Sequence, residues 1–179
     1  MEIRPALIED VPKLTEIYAP YVRETAVTFD YQVPSAEAFA ALIQSTLRKY
    51  PFLVAKEDEK ILGYAYVSDY KKKKAYDWSV ETTIYVRQDA QRSGIGSRLY
   101  EAMENYLLKQ HICNLYACIT YPNPASIAFH ERFGYKIAAH FSNSGYKLGK
   151  WYDIVWMEKH LDPHPVPPEP FIPFPELSQ

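Results

Sequence analysis

The chain has 179 residues, 47% of them hydrophobic and 15% aromatic, which suffices to bury one core and is short for two. Twenty Lys and Arg against 22 Asp and Glu leave a formal net charge of -2, so no basic field favours general binding to nucleic acid or an anionic membrane surface. No apolar run reaches the roughly 20 residues of a spanning helix, and the start, Met1-Glu2-Ile3-Arg4-Pro5, carries no signal segment. Cys113 and Cys118 stand five apart in a strand-like run, where their Cα atoms lie beyond the roughly 7 Å reach of a disulfide. The expectation is a cytoplasmic protein with two buried thiols and a small-molecule partner.

Ile3 to Ala6 predicts a short first strand. Val11, Leu14, Ile17 and Tyr18 then recur at helical spacing behind Asp10 and Pro12. Thr25 to Val33 reads as a loop with apolar and aromatic residues, after which Ser35 caps a helix carrying Phe39, Leu42, Ile43 and Leu47 on one face. Phe52 to Lys56 and Ile61 to Ser68 form a hairpin across Glu57-Asp58-Glu59. Trp78, Val80, Thr82, Ile84 and Val86 alternate with Ser79, Glu81, Thr83 and Tyr85, which predicts a longer strand ending near Val86. After a glycine-bearing loop, Ile95, Leu99, Ala102, Met103, Tyr106 and Leu107 share a helix face. Cys113 to Thr120 is a strand, Asn123 and Pro124 open a helix that Gly134 stops, and Lys150 to Met157 is the last strand. Residues 1–161 thus read as one α/β domain. Residues 162–179 hold seven prolines and form an extended tail with Phe171 and Phe174 placed to lie on the domain.

The sharpest local signal is Gln91-Arg92-Ser93-Gly94-Ile95-Gly96, after a strand and opening a helix. Glycines let backbone approach a ligand, and amides at a helix N-terminus form an anion site. The loop lacks the Lys-Ser/Thr ending of a nucleoside-triphosphate loop and has Leu99 where a dinucleotide fingerprint has its third glycine. On these residues alone, a phosphate site and a tight structural turn are equally supported. The five histidines show no ligand spacing, so no metal is implied.

Strand, Gln/Arg-x-x-Gly-x-Gly, helix, strand, Asn-x-x-Ser and Phe-Gly-Tyr follow in the order found in GNAT acetyltransferases, here as Ile84-Tyr85-Val86 through Gly96 and Asn123-Pro124-Ala125-Ser126 through Phe133-Gly134-Tyr135. The chain resembles the phosphinothricin acetyltransferase branch more closely still over roughly Ile3 to Lys159. Thr28-Phe29, Ala75-Tyr76-Asp77-Trp78, Val80 to Val86, Gly145-Tyr146-Lys147, Trp151 and Asp153 carry that resemblance. It implies a mixed sheet of about seven strands flanked by helices and splayed after the fourth. It also implies acetyl-CoA as co-substrate, a small amino-acid-like amine as acceptor and a homodimer. By the same resemblance the backbone of Ile84, Tyr85 and Val86 pairs with the pantetheine arm, Arg92, Ser93, Gly94, Ile95, Gly96 and Ser97 hold the diphosphate, and Asn123 and Ser126 contact the cofactor further along. Other amine acceptors, such as a polyamine, an aminoglycoside or a protein N-terminus, share this chemistry, and a catalytically inactive cofactor-binding module is the alternative of another class.

Glu81 faces opposite to the apolar set of its strand, and an attacking amine must lose a proton to a positioned acceptor. His130, in the pair His130-Glu131, stands where many members of the family place a tyrosine near the departing thiolate. Its role as acid, second base, substrate contact or packed helix residue stays open. Lys71 to Lys74 are a solvated run by default; the resembled branch has arginine at the place of Lys73, and lysine lacks that two-pronged carboxylate contact. Phe29, Tyr31, Trp78, Tyr146 and Trp151 are the aromatic candidates for the acceptor pocket.

Overall fold

In the computed structural model, residues 1–91 and 93–177 are described. Among them, seven strands form one sheet: β1 (Glu2–Pro5), β2 (Phe52–Glu57), β3 (Lys60–Asp69), β4 (Ser79–Val86), β5 (Asn114–Tyr121), β6 (Lys136–Lys147) and β7 (Lys150–His160). Their order is β1-β2-β3-β4-β5-β7-β6, and every neighbouring pair is antiparallel except β4 with β5. The central strands bury both faces, which is why Phe52 to Ala55 is an unbroken apolar run. Helices α1 (Val11–Glu24) and α2 (Ala36–Leu47) cover one face, packing Leu14, Ile17, Phe39 and Ile43 on Phe52, Val54 and Tyr64. On the other face α3 (Ile95–Lys109) sets Leu99, Met103 and Leu107 against Leu53, Ala65, Val80 and Leu115. A shorter helix, α4 (Pro124–Arg132), begins with Asn123 Oδ1 accepting from the Ser126 amide at 3.2 Å.

The feature that positions the site is a fork. Strand β4 pairs with β5 only from Ser79 to Glu81, opposite Asn114 to Tyr116. Beyond that point β4 stays on β3 as far as Val86 while β5 stays on β7 as far as Tyr121. The two halves of the sheet therefore diverge immediately after Glu81, and Thr82 pegs the fork by donating from Oγ1 to the Tyr116 carbonyl at 3.1 Å.

Three expectations change. Strand β6 is absent from the periodicity because it is the sheet edge: most of its residues are exposed, and its register on β7 shifts between Phe141 and Gly145. Trp78 precedes its strand and does not line the cleft between β4 and β5; its Nε1 donates at 2.7 Å to the Glu169 carbonyl in the C-terminal tail. Cys118 is exposed rather than buried, whereas Cys113 is buried, and the two are not bonded. The tail itself lies on the domain, with Phe171 against Tyr50 at 5.6 Å between ring centroids and Phe174 against Tyr106 at 5.1 Å.

Candidate active site

The fork opens into a cleft of about 240 Å³ between β4 and β5. One wall holds Glu81 to Tyr85, the other Ala117 to Thr120, and Val27, Thr28 and Phe29 from the loop after α1 close one end. Asn123, Ser126 and His130 of the α4 region complete it. The sequence-derived candidates Phe29, Glu81, Ile84, Tyr85, Asn123, Ser126 and His130 are thus brought together. Lys73 and Tyr146 are exposed and do not line this cleft. Tyr146 instead accepts at its carbonyl from the Tyr31 hydroxyl and sets its ring 5.4 Å from that of Trp151, itself 60% exposed.

Glu81 is half-buried at the apex of the fork. Burial raises its carboxyl above the ordinary range, and the charge of Lys71 partly opposes that rise. A carboxylate so placed holds a proton more readily than one in water, which is what a proton acceptor for an ammonium-derived amine requires. Beside it Cys118 faces the cleft, its thiol pushed up to about 11 first by desolvation and then by Glu81, so it stays protonated near neutral pH.

His130 is 3% exposed, and burial lowers its pKa against the opposing effect of the Ser126 carbonyl. Its Nδ1 is 2.8 Å from that carbonyl, which only accepts, so Nδ1 carries the hydrogen. The other nitrogen, Nε2, lies 2.9 Å from the Tyr100 hydroxyl and accepts from it. The one hydrogen of that hydroxyl is shared with Thr82 Oγ1, to which it donates at 3.1 Å, while Thr82's own hydrogen goes to the Tyr116 carbonyl, so a buried chain runs from α4 through α3 to the peg of the fork. Tyr100 was not among the residues singled out from the sequence. It stands four after Gly96 on the buried helical face, a position that reads as ordinary core.

The glycine loop is at the other end of β4. Gly94 caps α3 at φ +81°, a conformation that favours glycine, and an added Cβ there meets nothing within 4 Å. Among the described residues, the first amide of α3 to be bonded is that of Arg98, to Gly94 O at 3.1 Å, which leaves the amides of Ile95, Gly96 and Ser97 without a described partner and turned to an external acceptor. This open cradle fits a diphosphate. Gly96 serves a different end: its missing Cβ would stand 3.2 Å from the Phe129 ring, so it lets α3 approach α4. The Ile95 side chain is core, so only its backbone faces the cradle, and Ser93 turns its hydroxyl onto the Ala90 carbonyl at 2.5 Å. Arg92 lies outside the described residues. Among the described residues no three His, Cys, Asp or Glu side chains converge as a metal site, and no helix is long and apolar enough to cross a membrane.

A family model described as an acetyltransferase (GNAT) domain matches residues 3–156. The phosphinothricin N-acetyltransferase of Streptomyces coelicolor is 38% identical over 165 residues, covering 90% of this chain and 96% of that protein. The L-methionine sulfoximine/L-methionine sulfone acetyltransferase of Pseudomonas aeruginosa is 32% identical over 163 residues, covering 90% and 95%. Among solved structures, a GNAT superfamily phosphinothricin acetyltransferase from Sinorhizobium meliloti in complex with AcCoA superposes with a TM-score of 0.89 at 27% identity, over 98% of this chain and 96% of that one.

Proposed function

The chain belongs to the GNAT acetyltransferase family, and on that footing we propose that it moves the acetyl group of acetyl-CoA to the α-amine of a small amino-acid-like acceptor of the phosphinothricin, methionine sulfoximine or methionine sulfone type. The observation that carries this reading is the position of Glu81, half-buried at the fork between the open amide cradle of α3 and the Phe29 loop. Acetyl-CoA supplies the acyl group already activated as a thioester. The chain's own residues do the rest. Amides of Ile95, Gly96 and Ser97 take the diphosphate, the edge of β4 that β5 leaves free after Glu81 takes the amide-rich pantetheine arm, and Asn123, whose Oδ1 is spent on capping α4, offers its Nδ2. Val27 to Phe29 hold the acceptor against Glu81, which removes the proton from the amine as the N–C bond forms and the C–S bond breaks. His130 is neutral and fully engaged, so its part is to hold the Tyr100 hydroxyl at the apex of the cleft. Lys73 lies outside the cleft, in the exposed run before β4, and is the proposed partner of an acceptor carboxylate that projects out of the cleft toward that run.

Release of free CoA thiol, followed with a panel of amines, tests the reading. Turnover is expected with the three amino-acid analogues. Brisk turnover of spermidine or a peptide N-terminus with none of the three would overturn the acceptor and leave the acetyltransferase chemistry standing.

We further propose a cytoplasmic homodimer. Free thiols at Cys113 and Cys118 suit a reducing compartment, and the exposed apolar side chains Ile137, Phe141 and Tyr146 on edge strand β6 suit contact with a second copy. Sedimentation at micromolar concentration checks the second point, and a monomer there would remove it.

A further inference from the structure

The hydroxyl of Tyr21, near the end of α1, joins two separate parts of the cofactor apparatus. It donates to the carbonyl of Val86, the last residue of β4, at 2.6 Å, and it accepts from Nε2 of Gln91 at 2.9 Å. The Tyr21 ring is 8% exposed and packs edge-on against Tyr85 with centroids 5.2 Å apart. The peptide after Val86 is also held from β3, because the Arg87 amide donates to the Leu62 carbonyl at 2.8 Å. Close approach of the two strands here depends on Gly63, where an added Cβ would stand 2.9 Å from the Tyr85 carbonyl. The end of β4 is therefore a fixed point. From it a single 3-10 turn, Gln88–Ala90, leads to Gln91 and the start of α3.

Such a turn has little stiffness of its own, and the side chain of Gln91 is otherwise at the surface. We propose that Tyr21 is a positioning residue for the cofactor: one oxygen bonded to both Val86 and Gln91 fixes the spacing between the free edge of β4 and the amides at the N-terminus of α3. The inference rests on the reading of Gly94 to Ser97 as the diphosphate cradle. Its physical content is that pantetheine and diphosphate are joined covalently at a set length, so strand edge and cradle must keep a matching separation for both to bind at once. The phenol suits this use because it donates one hydrogen and accepts at the same oxygen. Burial raises its pKa, so the donor persists across the neutral range. Phenylalanine keeps the packing on Tyr85 and deletes both bonds.

The test compares Tyr21→Phe, Gln91→Leu, the double variant and Gly94→Val, with acetyl-CoA binding by calorimetry beside steady-state kinetics and melting temperature. Tyr21→Phe is expected to weaken acetyl-CoA about three- to ten-fold, the scale of one neutral hydrogen bond, with the acceptor's KM unmoved and kcat at saturating cofactor changed less than KM. Gln91→Leu alters an exposed side chain, so it reports even if the tyrosine variant folds poorly; it should do the same, and the double variant should be no worse than the weaker single. Undiminished cofactor binding by Tyr21→Phe or by Gln91→Leu, or fully additive losses in the double variant, would overturn the brace. If Gly94→Val loses binding in that event, the cradle stands without the brace. If Gly94→Val also binds normally, the cradle reading itself has failed.

Discussion

Lys147 donates from Nζ to the carbonyl of Thr28 at 2.7 Å, tying the turn of the β6-β7 hairpin to the loop after α1 across 119 residues of sequence. Lys147 as a whole is 3% exposed, and burial lowers its pKa while the charge of Asp30 opposes the change. Beside it Gly145 is covered by the Phe29 ring so closely that any Cβ there would overlap the ring. The end of the cleft proposed to take the acceptor is thus shaped by a contact between two segments far apart in sequence.

Gly145→Ala should accordingly push Phe29 aside and raise the acceptor's KM about three- to ten-fold, the size of one displaced aromatic contact. The KM for acetyl-CoA should not move, because the cradle lies at the far end of β4. Equal effects on both constants would show that Phe29 does not belong to the acceptor site.

Glu81→Gln keeps the shape and deletes the proposed proton acceptor, so turnover should fall about 10²- to 10⁴-fold and recover partly at high pH. Stability should move the other way. A carboxyl raised in the folded state contributes stability that is present below its unfolded value and is lost as pH rises through the folded value. At neutral pH the glutamine variant should therefore melt higher than the parent, and the gap should close as pH falls below about 4. A variant that keeps full turnover would place the base elsewhere, and one that melts lower at neutral pH would contradict the cost of burying Glu81.

Much of the frame was legible because burial is periodic in it: α1 and α3 show their faces through Leu14, Ile17, Leu99 and Met103, and the buried strands show theirs through unbroken apolar runs. The edge strand β6 hid for the opposite reason, since exposed residues carry no burial pattern. Trp78 misled because the apolar alternation of β4 continues one position past the strand, and a tryptophan that anchors a tail looks the same in sequence as one that lines a pocket. Gly94 and Gly96 look alike in the motif, yet one opens onto free space and the other onto Phe129. The Tyr100 to His130 bond joins residues 30 apart on different helices, and no local spacing encodes it.

That bond has a pH signature. A histidine kept neutral by burial contributes stability that is fully present above the ordinary value near 6.5 and is lost as pH falls from there through its lowered folded value. Between pH 8 and 5 the melting temperature of the parent should drop more steeply than that of His130→Gln, whose side chain does not titrate. Parallel curves would mean that the ring is not held neutral. Tyr100→Phe leaves Nε2 buried without its donor and should cost about 1–3 kcal/mol in urea unfolding.

The lysine run offers the sharpest separation of roles. Lys71 is the cation whose field reaches Glu81, whereas Lys73 is exposed, precedes a 3-10 turn and is proposed to meet the acceptor's carboxylate. A carboxylate contact made equally in ground and transition states changes KM alone. Lys73→Ala should therefore raise the acceptor's KM several-fold with kcat little changed, and Lys73→Arg, restoring a planar fork, should bring it to or below the parent value. Lys71→Met removes a charge that favours ionised Glu81, so the Glu81 pKa rises further and the acidic limb of kcat/KM against pH moves upward. An acidic limb moved by Lys73→Ala and untouched by Lys71→Met would exchange the two assignments. If neither variant changes either readout, the run is a solvated surface and the acceptor's carboxylate is held by another residue.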